Sequence, residues 1–144
     1  MKISIVSILF FLVSGCTFAD KYETYALDGK IISLNVSNCK LNYGANSLDL
    51  GYEGSCYFVK EYNSKSVRME YYENIDSYVF LIVANMLPKD PEIPMTMLGE
   101  GCGSTVKALL ISTEKAIISE KDLTDTVTCP SFGIDQKIFY ILSH

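Results

Sequence analysis

The chain has 144 residues and a formal net charge of −5, from 12 basic and 17 acidic side chains, and nearly half of its residues are apolar. With a single arginine, Arg68, and an acidic balance, it lacks the basic footprint that nucleic-acid binding requires. The length suits one domain with one core and leaves no room for a second.

In chain order, the first signal is an export sequence. Lys2 precedes an apolar run, residues 3–13, that is too short to span a bilayer and ends in small residues. The ending Val13-Ser14-Gly15-Cys16 resembles a bacterial lipobox, in which the cysteine is lipidated and becomes the new N-terminus. The alternative is an ordinary cut after Ala19, behind Thr17-Phe18-Ala19, which gives a soluble periplasmic or secreted protein. On the lipid reading, residues 1–15 are the signal, 16–30 are an anchor and polar leading segment, and 31–144 are a single β domain. Thr17 directly after Cys16 implies the outer membrane, on its periplasmic side. Loss of Lys2 with the signal takes the net charge from −5 to about −6.

The cysteines agree with this. Five is an odd number for an exported chain. Assigning Cys16 to lipid leaves Cys39, Cys56, Cys102 and Cys129, an even set for an oxidising compartment. Of the three possible pairings, Cys39–Cys56 with Cys102–Cys129 is favoured, because each bond then closes one candidate hairpin region. A zinc site is the alternative. It has poor support, since no two cysteines stand at close ligand spacing and His144 is the only histidine. No metal or cofactor is expected.

Beyond the polar leading segment the chain reads as strands. Residues 31–36, 38–43 and 48–52 alternate apolar and polar positions, with a turn at 44–46. Residues 55–60 and 67–72 continue the habit across a break at 63–66. Residues 77–84 form the most apolar stretch of the domain and are rich in aromatic and β-branched side chains, which suits a strand buried on both faces, with a buried helix the alternative that periodicity leaves open. Pro88, Pro91, Pro94 and Gly99 predict a long surface loop over 86–98. The glycine-rich residues 99–104 read as a tight bend beside Cys102 rather than an anion-binding nest. Residues 105–111 and 115–119 flank a turn and predict a hairpin. Residues 120–125 read as a helical turn or loop, 126–129 as a short strand, 130–135 as a turn and 137–142 as a closing strand. About eight short strands and no long amphipathic helix predict an all-β fold, a small antiparallel barrel or sandwich stapled by two disulfides.

No catalytic constellation stands out. A Ser-His pair would have to use the terminal His144, and the neighbouring carboxylates (Asp49 and Glu53, Glu70 and Glu73, Asp122 and Asp125) read as solvent-facing charge. The candidate partner-binding residues are of three kinds. Tyr71 and Tyr72 are adjacent in a strand, so one of them faces water or a partner. Met95 and Met97 sit in the proline-rich loop, where methionine gives an adaptable surface. Ser131, Asp135 and Lys137 follow Cys129 in a compact turn suited to presenting polar groups.

In its lipobox, length, acidity, cysteines and β-rich pattern, the chain resembles the small bacterial envelope lipoproteins that inhibit lysozyme. The resemblance is architectural. The Ser-Gly-x-x-Tyr signature of that family is absent, so no residue role transfers from it. It implies a non-enzymatic envelope protein that binds another protein, a cationic hydrolase or toxin, as an inhibitor or an immunity protein. Two alternatives stand beside it: a structural or assembly lipoprotein of the outer membrane, and a binder of a small ligand inside a β-barrel.

Overall fold

The computed structural model describes residues 20–88, 92 and 101–144. Cys16, Met95, Met97 and most of the proline-rich loop lie outside the described residues.

The first half of the domain is a meander. Strand β1 (Tyr22–Leu27) pairs with β2 (Lys30–Asn35), β2 with β3 (Lys40–Tyr43), and β3 with β4 (Asn46–Asp49), all antiparallel. Asp28 and Gly29 join β1 to β2 with φ of 47° and 75°. Both central residues of a tight hairpin turn need positive φ, which Asp-Gly tolerates well. Strand content therefore begins at Tyr22, inside the segment read from sequence as a polar leader. β4 ends at Asp49, earlier than the sequence suggests. There the chain turns back, Leu50 N–H donating to the Cys39 carbonyl and Cys56 N–H to that of Val36.

The second sheet is built on one long strand. β7 (Ser77–Met86) pairs on one side with β8 (Gly103–Ile111), which pairs with β9 (Ala116–Leu123). On its other side β7 pairs with two short strands in succession, β5 (Tyr57–Phe58) and β6 (Met69–Tyr72). The predicted hairpin over 105–119 is present, and β9 continues through residues read as a loop. The predicted strand at 126–129 is reduced to one bridge, Thr128 to Gly103.

The two sheets pack face to face and do not close, so the fold is a sandwich and not a barrel. Leu34 and Leu41 of the first sheet meet Phe80, Ile82, Leu109 and Ile111 of the second. The opposite side chains of β7 and β8, namely Val79, Leu81, Val83, Val106 and Ala108, form a separate core. Period-two alternation thus places apolar residues on both faces of β7, as its unbroken apolar sequence predicts.

A second core needs a cover, and the C-terminus supplies it. Residues 137–142 are not a strand: helix α1 (Gln136–Ser143) lies there and buries Phe139 and Leu142 against β7, β8 and β9. Asp135 caps it, its carboxylate accepting from Lys137 N–H at 2.8 Å. Ile138, Phe139 and Leu142 fall on one helical face, which a strand would scatter over two. Cys39–Cys56 and Cys102–Cys129 are both disulfides, as the spacing favoured. None of these four sulfurs is left as a thiolate ligand.

Two further contacts tie the layers together. Glu23 of β1 crosses to the second sheet, where Oε1 meets Lys60 Nζ at 2.6 Å and Oε2 accepts from Phe58 N–H at 2.8 Å. On the helix side, Arg68 donates to the Ile134 carbonyl at 2.6 Å and lies 5.0 Å above the Phe139 ring.

Candidate partner-binding surface

β6 places its two tyrosines on opposite faces, as adjacent strand residues must be. Tyr71 is 49% exposed; its ring rests 4.9 Å from Tyr78 and its hydroxyl donates to Asp76 at 2.9 Å. Tyr72 turns to the helix side and is half-buried. Its ring meets Tyr140 at 5.8 Å and His144 at 5.2 Å, both edge to face.

Those two partners belong to the outer face of α1. Positions 137, 140, 141 and 144 follow the helical spacing of three, four and seven residues. Lys137, Tyr140 and Ile141 are exposed and His144 is half-buried, while Phe139 and Leu142 point the other way into the core. Tyr140 and His144 stack at 4.0 Å with an interplanar angle of 16°. The result is an aromatic cluster of Tyr72, Tyr140 and His144 extended by Ile141. It is held from beneath by Phe139 and by the Ser119 hydroxyl, which donates to the Leu142 carbonyl.

His144 is fixed in its role by its neighbours. Nδ1 lies 3.1 Å from the Tyr140 carbonyl, which only accepts, so Nδ1 carries the proton. Nε2 then accepts from the Asn74 amide at 2.8 Å. Ser143 Oγ is 2.9 Å from Nδ1, but its own proton goes to the Phe139 carbonyl at 2.7 Å. In this arrangement the imidazole packs as part of the aromatic surface.

The tyrosines stay neutral. Burial pushes the Tyr72 phenol above its ordinary value, helped by the Glu70 charge and Tyr140 and opposed by Arg68. Tyr71 is raised first by its hydrogen bond to Asp76 and then by partial desolvation and the Asp76 and Glu73 charges. Both remain hydrogen-bond donors at physiological pH. Glu73 and Asp76, both exposed, act on Tyr71, on the face of β6 opposite Tyr72, and near Tyr72, Arg68 is paired with Glu70 at 2.8 Å. The surface is therefore aromatic, with Lys137 at one end and the paired Arg68 and Glu70 beside Tyr72.

The remaining sequence candidates divide. Asp135 and Lys137 are exposed at the start of α1. Ser131 is fully buried and its hydroxyl has no partner, so it cannot present a polar group to another molecule. The reason is that its turn folds inward as a short 3-10 helix, Pro130–Phe132. Lys60 N–H donates to the Pro130 carbonyl and Asn63 N–H to that of Ser131, both at 2.8 Å. Outward from the same junction project Phe132, 42% exposed, and Tyr62, 72% exposed. Tyr140 and Ile141 were not singled out by sequence, nor was His144 as a binding residue, having been weighed only as a catalytic base. Helical spacing within residues 137–144 is the signal that would have found these three.

Among the described residues no group of three histidine, cysteine, aspartate or glutamate side chains is placed to hold a metal. No helix among them is long and apolar enough to cross a membrane. No protein-family model, no curated protein and no solved structure matches the chain.

Proposed function

We propose that this protein is an exported cell-envelope lipoprotein, anchored through Cys16, whose β domain binds a cationic protein and inhibits or neutralises it. A lysozyme-type hydrolase and a periplasmic toxin are the two partner types that fit. The observation that carries the reading is the Tyr72–Tyr140–His144 cluster, which presents Tyr140 and Ile141 to solvent. Tyrosine offers large contact area at small entropic cost and is enriched where interfaces carry their binding energy. The net negative charge of the chain speeds encounter with a basic partner. Two disulfides support an oxidising compartment.

The reading of a small-ligand binder inside a barrel is weaker, since the described strands enclose no lumen. The anchor is tested separately. The mature protein from producing cells should release an acylated N-terminal peptide beginning at Cys16, and Cys16→Ala should abolish membrane retention. An unchanged mass and unchanged membrane fraction for Cys16→Ala would refute lipidation. The binding claim is tested by calorimetry with purified cationic lysozyme and with candidate toxins, comparing wild type with Tyr140→Ala/Ile141→Ser. A one-to-one complex that weakens with salt and is lost in the double variant supports the reading. Equal binding by both proteins would move the interface elsewhere.

A further inference from the structure

An otherwise acidic chain gathers three lysines around one cavity. The cavity lies between β1 of the first sheet and the 60–67 segment of the second, with a volume of about 350 Å³. Lys21, Lys60 and Lys65 line it, together with Glu23, Thr24 and Val67. Its floor is fixed. Lys60 is buried, is paired with Glu23, and holds its ammonium 5.7 Å from the centre of the Tyr57 ring. Glu23 has both oxygens occupied, one by Lys60 and one by Phe58 N–H, so its charge is spent inside the wall. Lys21 lies over the same Tyr57 ring at 5.3 Å. Among the described residues no carboxylate forms an ion pair with Lys21 or Lys65. The opening therefore carries two uncompensated positive charges above a neutralised pair.

We propose that this cavity binds a phosphate-class anion, with Lys21 and Lys65 holding it and the Lys60–Glu23 pair and Tyr57 fixing the wall behind it. Lysine acts on phosphate as a mobile point charge that needs no fork geometry, which suits two exposed ammonium groups closing on a site from opposite walls. The size fits a phosphate carrying a small substituent and falls at the lower end of ordinary ligand sites. Position points to a source. Lys21 stands five residues after Cys16, and five residues reach at most about 18 Å. If Cys16 is lipidated, as proposed above, this end of the domain hangs directly over the headgroups, where lysine clusters favour anionic lipid. The anion preference stands on the cavity alone; only the lipid source rests on the anchor.

The test uses the mature protein purified from producing cells. In one arm, inorganic phosphate and glycerol phosphate are titrated while backbone amide shifts are followed by NMR. In the other, the protein is reconstituted into phosphatidylglycerol or phosphatidylcholine vesicles and hydrogen exchange is followed in residues 20–24 and 60–67. Lys21→Gln/Lys65→Gln removes both exposed charges, and Lys40→Gln/Lys115→Gln removes two exposed charges elsewhere. Saturable shifts at Lys21, Thr24 and Lys65, weakened about ten-fold in the first variant and unchanged in the second, support the site. Added protection in phosphatidylglycerol alone, lost in the first variant, identifies a lipid headgroup; phosphate binding without it identifies a soluble phosphate ester. No saturable shift together with no protection overturns the proposal, as does an equal loss in both variants. The mass of the N-terminal peptide decides the anchor independently of either arm.

Discussion

Removing one member of the Glu23–Lys60 pair should be the most damaging single charge deletion in this domain. The two side chains are 6% and 9% exposed and join β1 of the first sheet to the second sheet beside β5. Lys60→Met keeps most of the aliphatic stem and leaves the Glu23 carboxylate buried with only Phe58 N–H as a described partner. Stranding a buried charge in this way costs about 3–5 kcal/mol, far above the value of an exposed pair. For a domain of this size that is a fall in Tm of roughly 10–20 °C. Replacing both residues with apolar side chains of similar volume (Glu23→Leu/Lys60→Met) removes the stranded charge. The double variant should recover to within about 1–2 kcal/mol of wild type. Urea unfolding of wild type, Lys60→Met, Glu23→Leu and the double variant at neutral pH measures the cycle. The reasoning fails if Lys60→Met costs under about 1 kcal/mol, because the pair then behaves as a surface contact and does not clamp the sheets.

Gly103 opens β8 where a Cβ would collide with the Ala84 carbonyl oxygen and Val83 Cγ1. Gly103→Ala should therefore cost at least about 1–3 kcal/mol in urea unfolding, whereas Gly101→Ala, with only Met86 Cε at 3.5 Å, should stay within about 0.5 kcal/mol. Reduction should cost about 3 kcal/mol for Cys39–Cys56 and about 3.5 kcal/mol for Cys102–Cys129, from sequence separations of 17 and 27 residues. Unfolding with and without reductant measures the sum, and single-bond serine variants divide it. Burial, chiefly, raises the phenols of Tyr52, Tyr57 and Tyr72 in the folded protein. The folded state then holds these protons more tightly than the unfolded chain, so their contribution is complete below a pH of about 10 and is lost as pH rises above it. Tyrosinate absorbance should show a late-titrating class that merges with the rest when the protein is unfolded.

Where local pattern and tertiary burial agreed, the sequence could be read directly. The apolar run of β7 was legible because both of its faces are covered. The hairpin of β8 and β9 was legible because a polar turn separates two apolar runs. The cysteine pairing followed because each bond closes a compact part of the fold. The C-terminus was not legible, since a five-residue apolar run, residues 138–142, satisfies strand and helix alike. What decides it is the uncovered face of β7 and β8, which no local pattern reports. That error hid the candidate surface. In a strand Tyr140 and Ile141 would point in opposite directions, while in α1 they share the solvent face and Phe139 turns inward. β1 was missed because its polar positions read as a leading segment and the Asp28-Gly29 turn was not weighed. Ser131 was misplaced because a polar side chain in a turn is ordinarily solvated, and here two backbone hydrogen bonds draw that turn into the wall.

The central claim is that the aromatic face of α1 is where a cationic protein docks. Calorimetry with a purified cationic hydrolase, on wild type and on Tyr140→Ala/Ile141→Ser, tests it most directly. Both changes are on exposed positions, so the double variant should keep its melting temperature nearly unchanged. The account predicts saturable one-to-one binding by the wild type, weakened by salt, and at least about a hundred-fold loss in the variant, as expected when two central apolar contacts are removed. Binding of equal strength in a correctly folded variant would contradict it, as would the absence of binding to every cationic hydrolase and toxin tried.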